Sequence, residues 1–164
     1  MTGSPPPIPT GEGADLFEVR LIGVPIDVRG RAAEHIDELR REFTLLRAQQ
    51  EDRKSADVPI RLLTLVDDLE ERFSGFTEAP AAQLEAAIDA GATSVDLVVE
   101  VPIEAKEAAL QLGAMLDEAD EYCRSGGDLL TLATPPEALA YRRWYLEEFS
   151  RQLDGLPARP WAGS

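Results

Sequence analysis

SVDLVVEVPIE, residues 94–104, is the stretch on which the fold turns. Val95, Leu97, Val99 and Val101 alternate with Asp96 and Glu100, the period of two that marks a strand with one face inward. Pro102 cannot donate to a ladder and halts that strand, and a helix begins at once. The same succession of strand, proline, acidic residue and helix recurs at GVPID (23–27) and TPPE (134–137).

Working outward, Phe17, Val19 and Leu21 alternate with Glu18 and Arg20, predicting a strand from Leu16 to Val24. Leu129 to Ala133 is a short apolar run, read as a third strand, and Thr134 with Glu137 reads as a capping box for the last helix. A strand–helix–strand step from 94 to 133 favours a right-handed crossover between parallel strands. The expectation is an α/β or α+β fold, with a small three-stranded, mainly parallel sheet covered by about five helices.

The helices follow from spacing. Ala32, Ile36, Leu39, Phe43 and Leu46 fall in steps of four and three beyond Asp27, a candidate N-cap, and predict a helix reaching Gln50. Leu62, Val66, Leu69 and Phe73 repeat the pattern between Pro59 and Gly75, so the two stripes form an antiparallel helical hairpin across the polar turn EDRKSAD. A short helix spans Pro80 to Ala90, ending at Gly91. Ala105, Ala109, Leu112, Leu116, Ala119 and Cys123 line one side of a longer helix, broken by Ser125-Gly126-Gly127.

Residues 1–14, with Pro5, Pro6, Pro7 and Pro9 among glycines, read as a disordered tail. A single globular domain then runs over 15–156, and LPARPW leads into an extended C-terminal tail at 157–164. The 164 residues carry a formal charge of −15, which repels phosphate backbones and anionic lipid heads, so neither nucleic acid nor a membrane surface is an expected partner. A basic protein surface or a cation suits it better, although excess acid also serves solubility alone. Cys123 stands alone, excluding an intramolecular disulfide, and no apolar run approaches the roughly 20 residues of a membrane span. A cytoplasmic location is the expectation.

Catalytic motifs do not emerge. There is no GxxxxGK[ST] loop, no GxSxG elbow, and one histidine with one cysteine is too few for a Cys/His zinc site. No catalytic, cofactor-binding or metal-binding residue is assigned, and no cofactor is expected. Three features remain. His35, among Glu34, Glu38 and Glu42, reads as a general base, a pH sensor or a surface histidine, and is the candidate pocket residue.

Asp117, Glu118, Asp120 and Glu121 crowd the C-terminal half of a helix, where the backbone dipole disfavours negative charge by about 0.3–1 kcal/mol each. They read as a solvated face, as a dock for an arginine-rich partner or as a cation site. On the last helix, Arg142, Arg143 and Trp144 lie among Tyr141, Tyr145 and Phe149; Trp, Tyr and Arg dominate many interfaces, though part of this face must be core. Trp161 packs back as an anchor or serves as an extended ligand.

RAAEHIDELRREF (31–43), LDEADEYC (116–123), LLTLATPPE (129–137), RRWYLEEFSRQ (142–152) and PARPW resemble an uncharacterised actinobacterial family. That family is often encoded beside anti-sigma-factor serine kinases and partner-switching phosphatases. The similarity covers nearly all of the chain after residue 15 and carries over no catalytic or ligand residues. It implies a protein partner in a regulatory circuit. The chain has no Asn, so it lacks the Asn box of those kinases.

The expected function is a non-catalytic protein-interaction or regulatory module, with homodimerisation through the hairpin an option. The alternative is a small-molecule sensor or enzyme whose pocket lies where strands end at Pro25, Pro102 and Pro135.

Overall fold

A computed structural model describes residues 15–49, 57–125 and 134–163. The element order is β1 (Phe17–Pro25), α1 (Ile26–Gln49), α2 (Asp57–Phe73), a 3-10 turn (Ser74–Phe76), α3 (Glu78–Asp89), β2 (Ser94–Val101), α4 (Ala105–Ser125) and α5 (Pro136–Leu153). The two strands and five helices expected within the described residues therefore form close to where their periodicities put them.

The sheet is not the one expected. Among the described residues it has two strands, β1 and β2, and they are antiparallel. The fold is mainly helical, and the three-stranded, mainly parallel α/β or α+β arrangement is overturned. The reason lies at the return of the chain. After α1, α2 and α3 it comes back to the end of β1 that it left: Pro25 pairs with Ser94, and the Ile26 N–H donates to the Thr93 carbonyl at 3.1 Å. Alternating strands and helices do not specify to which end a long helical excursion returns. The run 129–133, expected as a third strand, lies outside the described residues.

Register explains how a two-stranded sheet buries one face. Leu21 faces Leu97 and Val24 faces Val95, with a bulge between. Strict alternation would send Val24 outward if Leu21 points inward, and the extra residue restores it, so Val19, Leu21 and Val24 are all fully buried. Gly23 supplies the left-handed backbone there, with φ +74°, and its N–H donates to Asp96 Oδ1 at 2.8 Å.

A two-stranded ribbon has two open edges and is marginal by itself. Here a glutamine amide, which carries both donor and acceptor, stands in for a strand residue at each edge. Gln152 of α5 accepts from the Arg20 N–H and donates to the Arg20 carbonyl, both at 2.8 Å. Gln83 of α3 does the same at Val98, at 3.0 and 3.3 Å. Farther along β1, the Trp161 N–H donates to the Ile22 carbonyl at 2.9 Å, so the C-terminal segment lies against the same edge.

The core has two parts. One joins the inner sheet face, Val28, Leu84, Ala105 and Ala109 to Tyr141, Trp144 and Phe149 of α5. The other joins Leu39 and Phe43 of α1 to Leu62 and Leu63 of α2 and Met115, Leu116 and Ala119 of α4. α1 and α2 lie side by side, with Arg40 reaching Glu70 at 2.9 Å; the expected turn between them lies outside the described residues. Leu146 packs against both clusters and marks the seam.

Candidate functional site

Along that seam the molecule opens. A cleft of about 280 Å³ lies between α1, α4 and α5, with His35, Ile36, Leu116, Thr134, Tyr141 and Arg142 among its walls. On one side stands an ionic cluster, buried at Asp120 and Arg142 and exposed at Asp117. Asp117 and Asp120, three residues apart, present their carboxylates along one side of α4. Arg142 of α5 donates to Asp117 Oδ1 at 2.7 Å and lies 3.1 Å from Asp120 Oδ2. Asp120 is 3% and Arg142 8% exposed, so the pair is compensated inside the protein.

Thr134 completes the cluster. Its N–H and its hydroxyl both donate to Asp120 Oδ1, at 3.1 and 2.6 Å, and its hydroxyl accepts from Arg142 at 3.1 Å. Its side chain is thereby withdrawn from the expected capping box: the N-cap of α5 is Pro135, with no side-chain cap. Burial alone would raise the Asp120 carboxyl, but the two Thr134 hydrogen bonds and the Arg142 charge outweigh it and hold it below the ordinary range.

His35 approaches from α1. Its Nε2 is buried and meets no hydrogen-bond partner among the described residues. Burial lowers its pKa, Asp120 and Glu38 pull it up, Arg142 pushes it down, and the net direction is down, so the neutral ring is favoured. Cys123 is pushed up to about 11, by burial first and then by Asp120 and Glu42, which leaves it a poor nucleophile near neutral pH.

The structure brings His35, Asp120 and Arg142 together, with Asp117 at the exposed rim of the cluster, and sends the other candidates elsewhere. Glu118 pairs with Arg61 at 2.6 Å, Glu121 with Arg124 at 3.2 Å and Arg143 with Asp117 at 3.6 Å, all at the surface. Trp144 is 6% exposed and donates its indole N–H to the Arg159 carbonyl at 2.8 Å. Trp161 lies edge-on to Tyr141 and Trp144, with centroids 6.0 and 5.6 Å away, and so packs back as an anchor. The shared pocket at the strand ends does not form, because antiparallel pairing puts Pro25 and Pro102 at opposite ends of the sheet.

Two residues were not singled out from the sequence, although a signal exists for each. Arg29 precedes Ala32 and Ile36 by three and seven residues, a cation on the apolar stripe, and it lines the cleft. Glu148 follows Tyr141 and Trp144 by seven and four, an acid on the buried face of α5, and it is fully buried.

Comparison of the chain with protein-family models, with curated proteins and with solved structures finds no match. Among the described residues no helix is long and apolar enough to cross a membrane, and no group of three His, Cys, Asp or Glu is placed to hold a metal.

Proposed function

We propose that this protein is a non-catalytic regulatory module that binds a small molecule in the cleft between α1, α4 and α5. The observation that carries this reading is the His35 Nε2: a buried imidazole nitrogen that meets no partner among the described residues, at a walled cleft, is a polar group that a ligand would satisfy. Supporting it, Asp120 is fully engaged by Thr134 and Arg142, and the Cys123 thiol is held protonated. The residues around the cleft are arranged for recognition more than for turnover.

The test is a ligand-observed NMR screen at neutral pH, followed by monitoring of the His35 ring protons. The expected result is compounds that move the His35 resonance and whose binding is lost in His35→Phe. A screen in which no compound moves that resonance counts against the reading.

A second reading, a protein-interaction module in a sigma-factor partner-switching circuit, is favoured by the surface of α4, where Asp117, Glu118 and Glu121 remain exposed on a chain of charge −15. A basic protein surface is the complementary partner. Reversing the charge of Glu118 and Glu121, leaving Asp117 and Asp120 in place to hold Arg142, is expected to weaken capture of such a partner in a salt-dependent manner. Unchanged capture at low salt would remove this surface from consideration.

A further inference from the structure

A second cavity, of about 350 Å³, lies between the inner face of the sheet and the α3, α4 and α5 helices. Its walls include Leu97, Val99, Val101, Leu84 and Phe149, and it shares Arg29, Leu112, Tyr145 and Leu146 with the His35 cleft. We propose that the two neighbouring cavities form one site for an amphipathic monocarboxylate, with its apolar tail against the sheet and its anionic head at Arg29. The inference rests on the cleft-binding reading and names its ligand class.

Arg29 decides the chemistry. It is the one charged residue among the described residues lining the sheet-side cavity, and no carboxylate pairs with it there or elsewhere among them. A half-buried guanidinium that meets no carboxylate among the described residues, at the edge of an apolar wall, is free to make charge-assisted hydrogen bonds to an anion. A cationic ligand would find no carboxylate in the sheet-side cavity. A polyanion would find a single free cation among the described residues that line the two cavities, since Arg142 is engaged by Asp117 and Asp120.

The tail follows from the rest of the lining. Apart from Arg29, only Thr77 and Tyr145 bring polar groups to the sheet-side walls, too few to recognise a base or a sugar. The cleft side adds His35, whose Nε2 can donate to an oxygen of the ligand when that ring nitrogen carries the proton. Asp37 is exposed where it borders the cleft, and Asp120 is occupied by Thr134 and Arg142, so neither stands between the head and Arg29.

The experiment is a titration of the full chain with decanoate, decanol and decylammonium at physiological salt, which screens the overall charge. Methyl NMR of Leu97, Val99 and Leu146 reads occupancy, in the wild-type chain and in Arg29→Met and Arg29→Lys. Decanoate is expected to bind at least about tenfold more tightly than decanol, to fall to the decanol level in Arg29→Met and to retain most of its affinity in Arg29→Lys. Decanol binding that persists in Arg29→Met shows that the cavity is intact. Equal affinity for decanoate and decanol, or decanoate binding untouched by Arg29→Met, overturns the ligand class and leaves the cleft reading standing. If none of the three moves these methyls, the sheet-side cavity is no ligand site and the proposal falls, while the cleft reading falls only if its own His35 screen fails.

Discussion

Asp120 on α4 and Glu148 on α5 are both buried carboxylates held by arginines, and their surroundings differ in one respect. Glu148 sits in a closed knot. Its Oε1 accepts from Arg151 at 2.9 Å and faces Arg159 Nε at 3.3 Å, and its Oε2 accepts from the Gln152 amide and the Arg159 N–H, both at 2.9 Å. Each donor belongs to α5 or to the segment that follows it, so the knot fixes the C-terminal chain against the domain. Asp120 is as well satisfied, but one side of its cluster opens onto a cleft through His35, whose Nε2 has no partner among the described residues. Complete satisfaction reads as structure, whereas a satisfied cluster beside an unsatisfied group reads as a site.

The contrast is broken most directly at Glu148. Glu148→Leu leaves four donors without their acceptor and is expected to destabilise the fold by about 3 kcal/mol in urea unfolding. A loss below about 1 kcal/mol would show that the knot is incidental, since that is the worth of a single ordinary hydrogen bond.

Arg142→Met attacks the other cluster, and because Thr134 still holds Asp120, a smaller loss of about 2 kcal/mol is expected. The carboxyl of Asp120 should titrate higher in this variant, which its ¹³C shift reports. The sign follows from the lowered pKa. In the wild type the stabilisation from Asp120 is present above the unfolded carboxyl value of about 4 and is lost as pH falls through the folded value; Arg142→Met should shrink that acid-side loss.

His35 tests the open side. Its folded pKa lies below its unfolded value of about 6.5, so the unfolded chain binds the extra proton and stability declines as pH drops from there through the folded value. His35→Gln should flatten the stability curve in that window while leaving stability near pH 8 almost unchanged. A slope identical to wild type would place the responsible groups elsewhere.

The surface pair Glu118–Arg61 supplies the baseline. Both partners are about half exposed, and Glu118→Gln should cost no more than about 0.5 kcal/mol and less in high salt. A larger effect would mean that the exposed acids of α4 are coupled to the buried cluster.

Much of the fold was legible in local pattern. The stripe at Leu62, Val66, Leu69 and Phe73 marked α2, the alternation from Val95 to Val101 marked β2, and Gly91 closed α3 with φ +75°. The site was legible in part: His35, Asp120 and Arg142 drew notice as unusual residues, but Asp120 and Arg142 were grouped with surface charges. Thr134 reads locally as a helix cap, a role that a stronger non-local acceptor, Asp120, displaces. Arg29 and Glu148 do not stand out in the sequence, because each is one charge inside an otherwise apolar stripe.

By itself the sequence determined which segments become helix or strand and which face of each is apolar, because those preferences arise between residues a few positions apart. Only the tertiary structure decided that β1 and β2 run antiparallel, that Asp120 and Arg142 meet inside, and that Arg29 borders a cavity with no counter-charge among the described residues. Each of these depends on which distant surfaces come into contact, and charges that look alike along the chain are sorted by that contact into pairs, surface and site.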